Sequence, residues 1–273
     1  MLRTRVITAL VLVSLLLPAL FWLPQSGWSL LVAAFIGVAG WEWGALLGWT
    51  GVRRIILGLS VGLLCAGLGW FDPTALEFTL TPTWVVVAYG CSALLWLALM
   101  PFWLRGKWAV KGGFGLLVGA VVLIPTWLAM VQLRALGPLP LLGIFAVVWM
   151  ADIAAYFSGR AFGKHKLAPS ISPGKTWEGA IGAAVGVVIY GLVVRQGFAI
   201  ELMSVALWGV ALLVVTAVSV IGDLFESMLK RQAGIKDSSN ILPGHGGVLD
   251  RIDSLTSTLP VVAFLLLLMW RPA

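Results

Sequence analysis

Charge is what this chain has least of. Only 11% of its 273 residues are Asp, Glu, Lys or Arg, against roughly 25% in soluble globular domains; an ordinary water-soluble domain is thereby excluded. Histidine and cysteine are scarcer still, at two residues each. Neither can supply a zinc-ligand set or a disulfide framework. Cys65 and Cys91 both fall within apolar runs, where they read as packing residues. Short segments of alternating polarity, the mark of a membrane β-barrel, are missing, and no internal repeat is evident. Acids are outnumbered 11 to 18 by Lys and Arg, for a net charge of +7. The cations lie in short loops beside apolar runs and form no separate basic face, so nucleic acid is not an expected partner.

What is abundant is hydrophobic sequence, 60% of the chain. A helix needs about 20 predominantly apolar residues to cross a bilayer, and nine such runs are placed at about 5–23, 28–48, 54–71, 83–103, 112–133, 138–158, 177–197, 204–226 and 255–270. The expectation is an all-α, polytopic integral membrane protein. It forms one membrane unit, with residues 1–137 as scaffold helices and 138–273 as the helices that carry a site. Arg3, Arg5, Arg53, Arg54, Arg105, Lys107, Lys111, Arg160, Lys164, Lys166, Lys175, Lys230, Arg231, Lys236 and Arg251 fall in the N-terminus and alternate loops. Arg134, Arg195 and Arg271 fall on the other side. The positive-inside rule then places the N-terminus and the basic loops in the cytoplasm and the C-terminus outside. The first run, preceded by two arginines, resembles a signal peptide but lacks a small-x-small cleavage site; it reads as an uncleaved first helix. Trp22, Trp28, Trp49, Trp70, Trp84, Trp103 and Trp108 lie toward span ends, as interfacial belts require. Among the 32 glycines, Gly182-x-x-x-Gly186 has the spacing of a close helix contact.

Polar groups concentrate in the second half. Residues 227–253 hold four cations, three carboxylates, His245 and a Pro-Gly-His-Gly-Gly turn. Ionisable groups near lipid are costly, and their clustering points to function. Carboxylates suit hard divalent cations, whereas Lys, Arg and glycine N–H groups suit phosphate. Ser219, Asp223, Ser227 and Lys230 share one helical face, with Glu226 beside them. Asp223 needs a cation, either Lys230 or a metal. Asp250 and Asp253 return to the same side, also on one helical face. A second polar stretch follows Asp152 and runs from Tyr156 through Ser172-Pro-Gly-Lys-Thr to Glu178. Glycine and a helix N-terminus there suit an anion. Gly174-Lys-Thr is like the end of a Walker A loop, but the earlier glycine and strand are missing, so a P-loop is rejected. For both stretches the bland readings are an ion-pair network between helices and a basic loop bound to lipid headgroups. Glu42, in the second span, pairs with Arg53 or Arg54 or has a functional role.

These residues also carry a family resemblance. Ser227-x-x-Lys-Arg-x(4)-Lys-Asp-x(5)-Pro-Gly-His-Gly-Gly-x-x-Asp-Arg-x-Asp253 resembles the signature of the phosphatidate cytidylyltransferases, also called CDP-diacylglycerol synthases. Ala151-Asp-x-x-Ala-Tyr-x-x-Gly-Arg-x-Phe-Gly-Lys and Ser172-Pro-Gly-Lys-Thr-x-Glu-Gly179 are similar to the same family's upstream region. The likeness is strong over about 140–260 and rests on hydropathy alone before that. It implies transfer of the cytidylyl group of CTP to phosphatidate, giving CDP-diacylglycerol and pyrophosphate, with one or two Mg²⁺ ions. It also implies a homodimer, and a place in a bacterial inner membrane with the site on the cytoplasmic side. By motif match Asp223 and Asp250 hold metal, and Lys175, Lys230, Arg231, Lys236 and Arg251 hold phosphates. Asp152, Arg160, Ser172, Thr176, Ser227, Asp237, His245, Gly246, Gly247 and Asp253 complete the expected substrate-binding set. Three other readings stand beside it: a related CTP-transferase acting on another lipid phosphate, an ion-coupled transporter using Glu42, Asp152 and Asp223, and a lipid-binding scaffold without catalysis.

Overall fold

The computed structural model describes residues 2–198 and 202–269. Arg271 and the last residue of the expected ninth span lie outside them. Among the described residues, nine helices are long and apolar enough to cross a membrane. The chain runs α1 (Leu2–Trp22), α2 (Gln25–Leu46), α3 (Val52–Phe71), α4 (Thr83–Leu94), a π-helical segment (Leu95–Leu99), α5 (Met100–Gly106), α6 (Gly112–Ala135) and α7 (Pro138–Phe162). It continues through β1 (Lys166–Ala168), β2 (Ser172–Thr176), α8 (Trp177–Gly197), α9 (Val205–Gln232) and α10 (Leu249–Met269). The fourth span combines α4, the π-helical segment and α5. All nine expected spans are present. The helices α7, α9 and α10 reach further into polar sequence than hydropathy indicates, because a backbone ladder continues past the last apolar residue once tertiary contacts cover it.

Small residues set the close crossings. A Cβ at Gly58 of α3 would lie 2.7 Å from Gly37 O and 2.8 Å from Trp41 Cβ of α2, so those two backbones touch. Between α7 and α8, a Cβ on Gly182 would collide with Ser158, and one on Gly186 would sit 2.7 Å from Ala154 Cβ. The Gly182-x-x-x-Gly186 spacing therefore works as a packing motif. Indole N–H groups tie α2 to α6: Trp28 donates to Met130 O at 3.0 Å, and Trp43 to Gly115 O at 3.0 Å. Trp28 and Trp103 are buried within the bundle rather than in an interfacial belt, whereas Trp22 and Trp70 are each 82% exposed. Pro260 removes an N–H from α10 and frees the carbonyl of Thr256; the Thr126 hydroxyl of α6 lies 3.3 Å from that oxygen, the kind of re-satisfaction a spanning helix requires. Cys65 is buried, Cys91 is exposed and both are free thiols.

Three features set up the site. The strands β1 and β2 pair antiparallel, Lys166 with Thr176 and Ala168 with Ser172, and form a small hairpin between α7 and α8 where the sequence reads as a turn. The Thr176 hydroxyl caps α8 by accepting from Gly179 N at 3.1 Å. At the start of the chain, Thr8 Oγ1 donates to Pro243 O at 2.9 Å, so the N-terminal end of α1 lies against the glycine-rich turn.

Candidate active site

The end of α7, the hairpin, the start of α8, the last turns of α9 and the start of α10 enclose a cavity of about 460 Å³. Asp152, Arg160, Lys175, Ser219, Asp223 and Ser254 are on its wall. The helical face read from the sequence is realised. Ser219 and Asp223 line the cavity, and Ser227 Oγ donates to Asp223 Oδ1 at 3.2 Å. The partner of Asp223 is not Lys230 but Lys175, whose Nζ lies 2.6 Å from Oδ2. The hairpin accounts for this choice, since it folds Lys175 back over α9, while Lys230 lies a further two turns along that helix.

Lys230 serves the other carboxylates. Its Nζ is 2.7 Å from Asp250 Oδ1 and 3.1 Å from Glu226 Oε2. The second oxygen of Asp250 accepts from Ser238 N at 2.9 Å, Ser238 Oγ at 2.8 Å and Gly247 N at 2.7 Å. Asp250 is thus met by four donors, and the Gly247 N–H expected for phosphate is committed to it. Gly246 has φ +82°, and a Cβ there would come 2.7 Å from Asp250 Oδ2; a left-handed backbone and the lack of room both require glycine. Asp253 accepts from Ser254 N at 2.7 Å and acts electrostatically on Asp223 and Glu226.

The remaining expected residues divide into two groups. Arg160 lines the cavity, with Nη1 3.2 Å from Tyr156 Oη. Arg251 acts electrostatically on Asp152, and Thr176 forms both the cap and part of the cavity wall. Ser172 starts β2 and Arg231 Nε reaches Ile171 O at 3.4 Å. Those two sit at the hairpin's flank. Lys236 and Asp237 are exposed after α9 and do not line the cavity. His245 is held through its backbone N–H to Leu242 O at 2.8 Å; its Nδ1 is buried without a hydrogen-bond partner among the described residues. Sequence reasoning missed the Glu178 clasp, in which Oε1 meets His165 Nδ1 at 2.6 Å and Oε2 accepts from Lys164 N at 3.1 Å and His165 N at 3.2 Å. It also missed Ser238 as an Asp250 donor. Nothing in the local pattern announces either contact.

Comparison with known proteins gives the arrangement its family. The profile of the cytidylyltransferase family matches residues 3–269. The chain belongs to the cytidylyltransferase family. It is similar to proteins named phosphatidate cytidylyltransferase from three bacteria. The Pseudomonas aeruginosa protein is 41% identical, the match covering 97% of each chain. The Haemophilus influenzae protein is 35% identical over 97% of this chain and 98% of its own. The Brucella suis protein is 40% identical over 94% and 90%. For a cytidylyltransferase the donor set has the right chemistry to take a hard divalent ion. The carboxylates Asp152, Asp223, Glu226, Asp250 and Asp253 interact with one another and with Lys175, Lys230 and Arg251, so oxygen donors are concentrated at this end of the bundle. As the side chains stand, no three acidic or histidine groups among the described residues converge on one point.

Proposed function

We propose that the cavity transfers the cytidylyl group of CTP to phosphatidate, forming CDP-diacylglycerol and releasing pyrophosphate. The observation that carries this reading is the meeting of Lys175 and Asp223 on the cavity wall at one end of the bundle, in a member of the cytidylyltransferase family. A phosphate oxygen of the lipid attacks the α-phosphorus of CTP, and the bond from that phosphorus to the pyrophosphate oxygen breaks. A phosphomonoester with a second pKa near 6 is already largely dianionic at pH 7, so no side chain need take a proton. What remains is bringing two polyanions together and stabilising the departing charge. Lys175 is suited to this: it pairs with Asp223, and a phosphate can take over the ammonium. Arg160 provides further positive charge at the same wall, Arg251 acts electrostatically on Asp152, and Lys230 holds Asp250 in place.

Mg²⁺ is part of the proposal, held at Asp223 and Asp250. Asp223 is the more available of the two, since among the described residues its oxygens meet only Lys175 and Ser227. When bound, the ion would draw negative charge off the reacting phosphates. The active-site end is assigned to the cytoplasm of a bacterial inner membrane, supported by the distribution of cations among the loops. A homodimer belongs to the same proposal, with the family resemblance as its support. The transporter reading is disfavoured because the carboxylates gather at one end of the spans, whereas a pathway needs polar groups through the full depth. The test is purified protein in mixed micelles with CTP, phosphatidate and Mg²⁺. Stoichiometric pyrophosphate and CDP-lipid are expected. Turnover with another lipid phosphate but none with phosphatidate would overturn the substrate assignment.

A further inference from the structure

Glu42 lies in α2, in the half of the chain that contributes nothing to the cavity wall, and it is fully buried. Among the described residues it makes no ion pair of 4.0 Å or less; the expected partner Arg54 acts on it only at longer range and instead donates to Trp41 O at 3.2 Å. The Glu42 carboxylate is held by donors from the other end of the sequence. Oε1 accepts from Val248 N at 2.9 Å and Ser239 Oγ at 2.6 Å, and Oε2 accepts from Leu249 N at 2.6 Å. These N–H groups open α10, and Asp250 follows immediately. Gly247 N, one residue earlier, donates to Asp250 itself. Two carboxylates therefore share three successive N–H groups, one from a distant helix and one from the helix being capped. A Cβ at Gly247 would collide with both Glu42 Oε1 and Ser238 Oγ, so the turn contains glycine where the two anchors approach.

We propose that Glu42 is a positioning residue that fixes the start of α10, and through it the direction in which Asp250 presents its carboxylate. This rests on the reading of Asp250 as part of the transferase site. An anion at a helix N-terminus gains from the N–H groups and the dipole together, and Glu42 is fully buried. A glutamine at this position would keep the size but exchange one acceptor oxygen for an NH₂ group pointed at N–H donors. Misplacement of a reacting group by about 1 Å can cost on the order of a hundredfold in rate.

The experiment uses the full-length protein in nanodiscs, with Glu42→Gln, Gly247→Ala and the double variant. It measures steady-state kinetics in both substrates, thermal unfolding, and hydrogen exchange of peptides covering 245–250. Each single variant should lower kcat by roughly ten- to a hundredfold, with KM for CTP and phosphatidate within about twofold and exchange at 248–249 accelerated. The double variant should lose less than the product of the two single losses, because both disturb the contact between Glu42 and the turn. If Glu42→Gln does not accumulate as folded protein, Glu42→Asp, which keeps the charge and loses one methylene, is read in the same way. A kcat within about twofold of wild type, unchanged exchange at 248–249, or multiplicative losses in the double variant would each overturn the proposal. A wild-type protein inactive on phosphatidate but with normal exchange differences between variants would instead overturn the substrate reading and leave the cap intact.

Discussion

Asp223 and Asp250 are the two carboxylates proposed to hold Mg²⁺, but the protein holds them differently, and their variants should differ accordingly. Asp223 is 29% exposed at its side chain and, among the described residues, meets only Lys175 and Ser227. Asp223→Asn should remove activity by orders of magnitude while changing the unfolding midpoint little. Asp250, 4% exposed, ties Lys230, Ser238 and Gly247 together. Losing one partner of a buried pair costs about 3–5 kcal/mol, softened here because Lys230 keeps Glu226. Asp250→Asn should therefore lose both activity and thermal stability, as calorimetry or a thermal-shift assay would show; near-normal turnover in either variant at saturating Mg²⁺ would remove its metal assignment. Lys175 offers a sharper distinction. A point charge that exchanges Asp223 for phosphate should tolerate neither Lys175→Met nor Lys175→Arg, whose guanidinium fork has another shape. Full activity in the arginine variant, with only a few-fold loss in the methionine variant and a steady decline with salt, would mark Lys175 as a membrane-facing charge instead. The residue types of the site were legible because charge beside lipid is so rare, and the face shared by Ser219, Asp223, Ser227 and Lys230 followed from helical spacing. Which cation pairs with which carboxylate was not legible. It depends on a hairpin fold, and Glu42 meets Val248 across a sequence separation of 206.

At the scale of elements, helices were readable and the hairpin was not. Spans of 20 or more apolar residues announce themselves, but β1 and β2 have three and five residues, and Pro173 and Gly174 signal a turn. What holds the hairpin is the Glu178 clasp on Lys164 and His165, a contact between residues 13 and 14 positions apart. Glu178→Ala should leave the unfolding midpoint within a few degrees, as the clasp is largely exposed, yet accelerate hydrogen exchange across 164–176. Activity should fall together with it, since Lys175 hangs from this hairpin; unchanged exchange would mean that the strands hold themselves. The α2–α3 crossing gives the opposite expectation. Gly58→Ala must push a methyl group against Gly37 O and Trp41, and overpacking of this kind costs about 1–3 kcal/mol. Its effect should appear in the midpoint of thermal unfolding and leave KM unaltered.

For the whole molecule, the cation distribution predicts the side on which each loop lies. A reporter inserted after Lys166 or Lys236 should be cytoplasmic, and one within 79–83 or at the C-terminus should be outside. A cytoplasmic C-terminus would contradict the span order. The all-α membrane architecture was legible from nine continuous apolar runs of spanning length together with the scarcity of charge. The arrangement of helices was not, because hydropathy says nothing about which helices touch. The cap on α10 also has a bearing on how the protein is made. Glu42 is synthesised 206 residues ahead of Val248. At roughly 5–20 residues per second, the ribosome takes on the order of 10–40 s to supply that partner. Through that interval the nascent amino-terminal helices carry an acid whose final donors do not yet exist, and Arg54, one helix downstream, is the cation on hand. A ribosome that stalls before residue 248 thus leaves an inserted fragment in which Glu42 lacks the Val248 and Leu249 donors that the finished chain supplies.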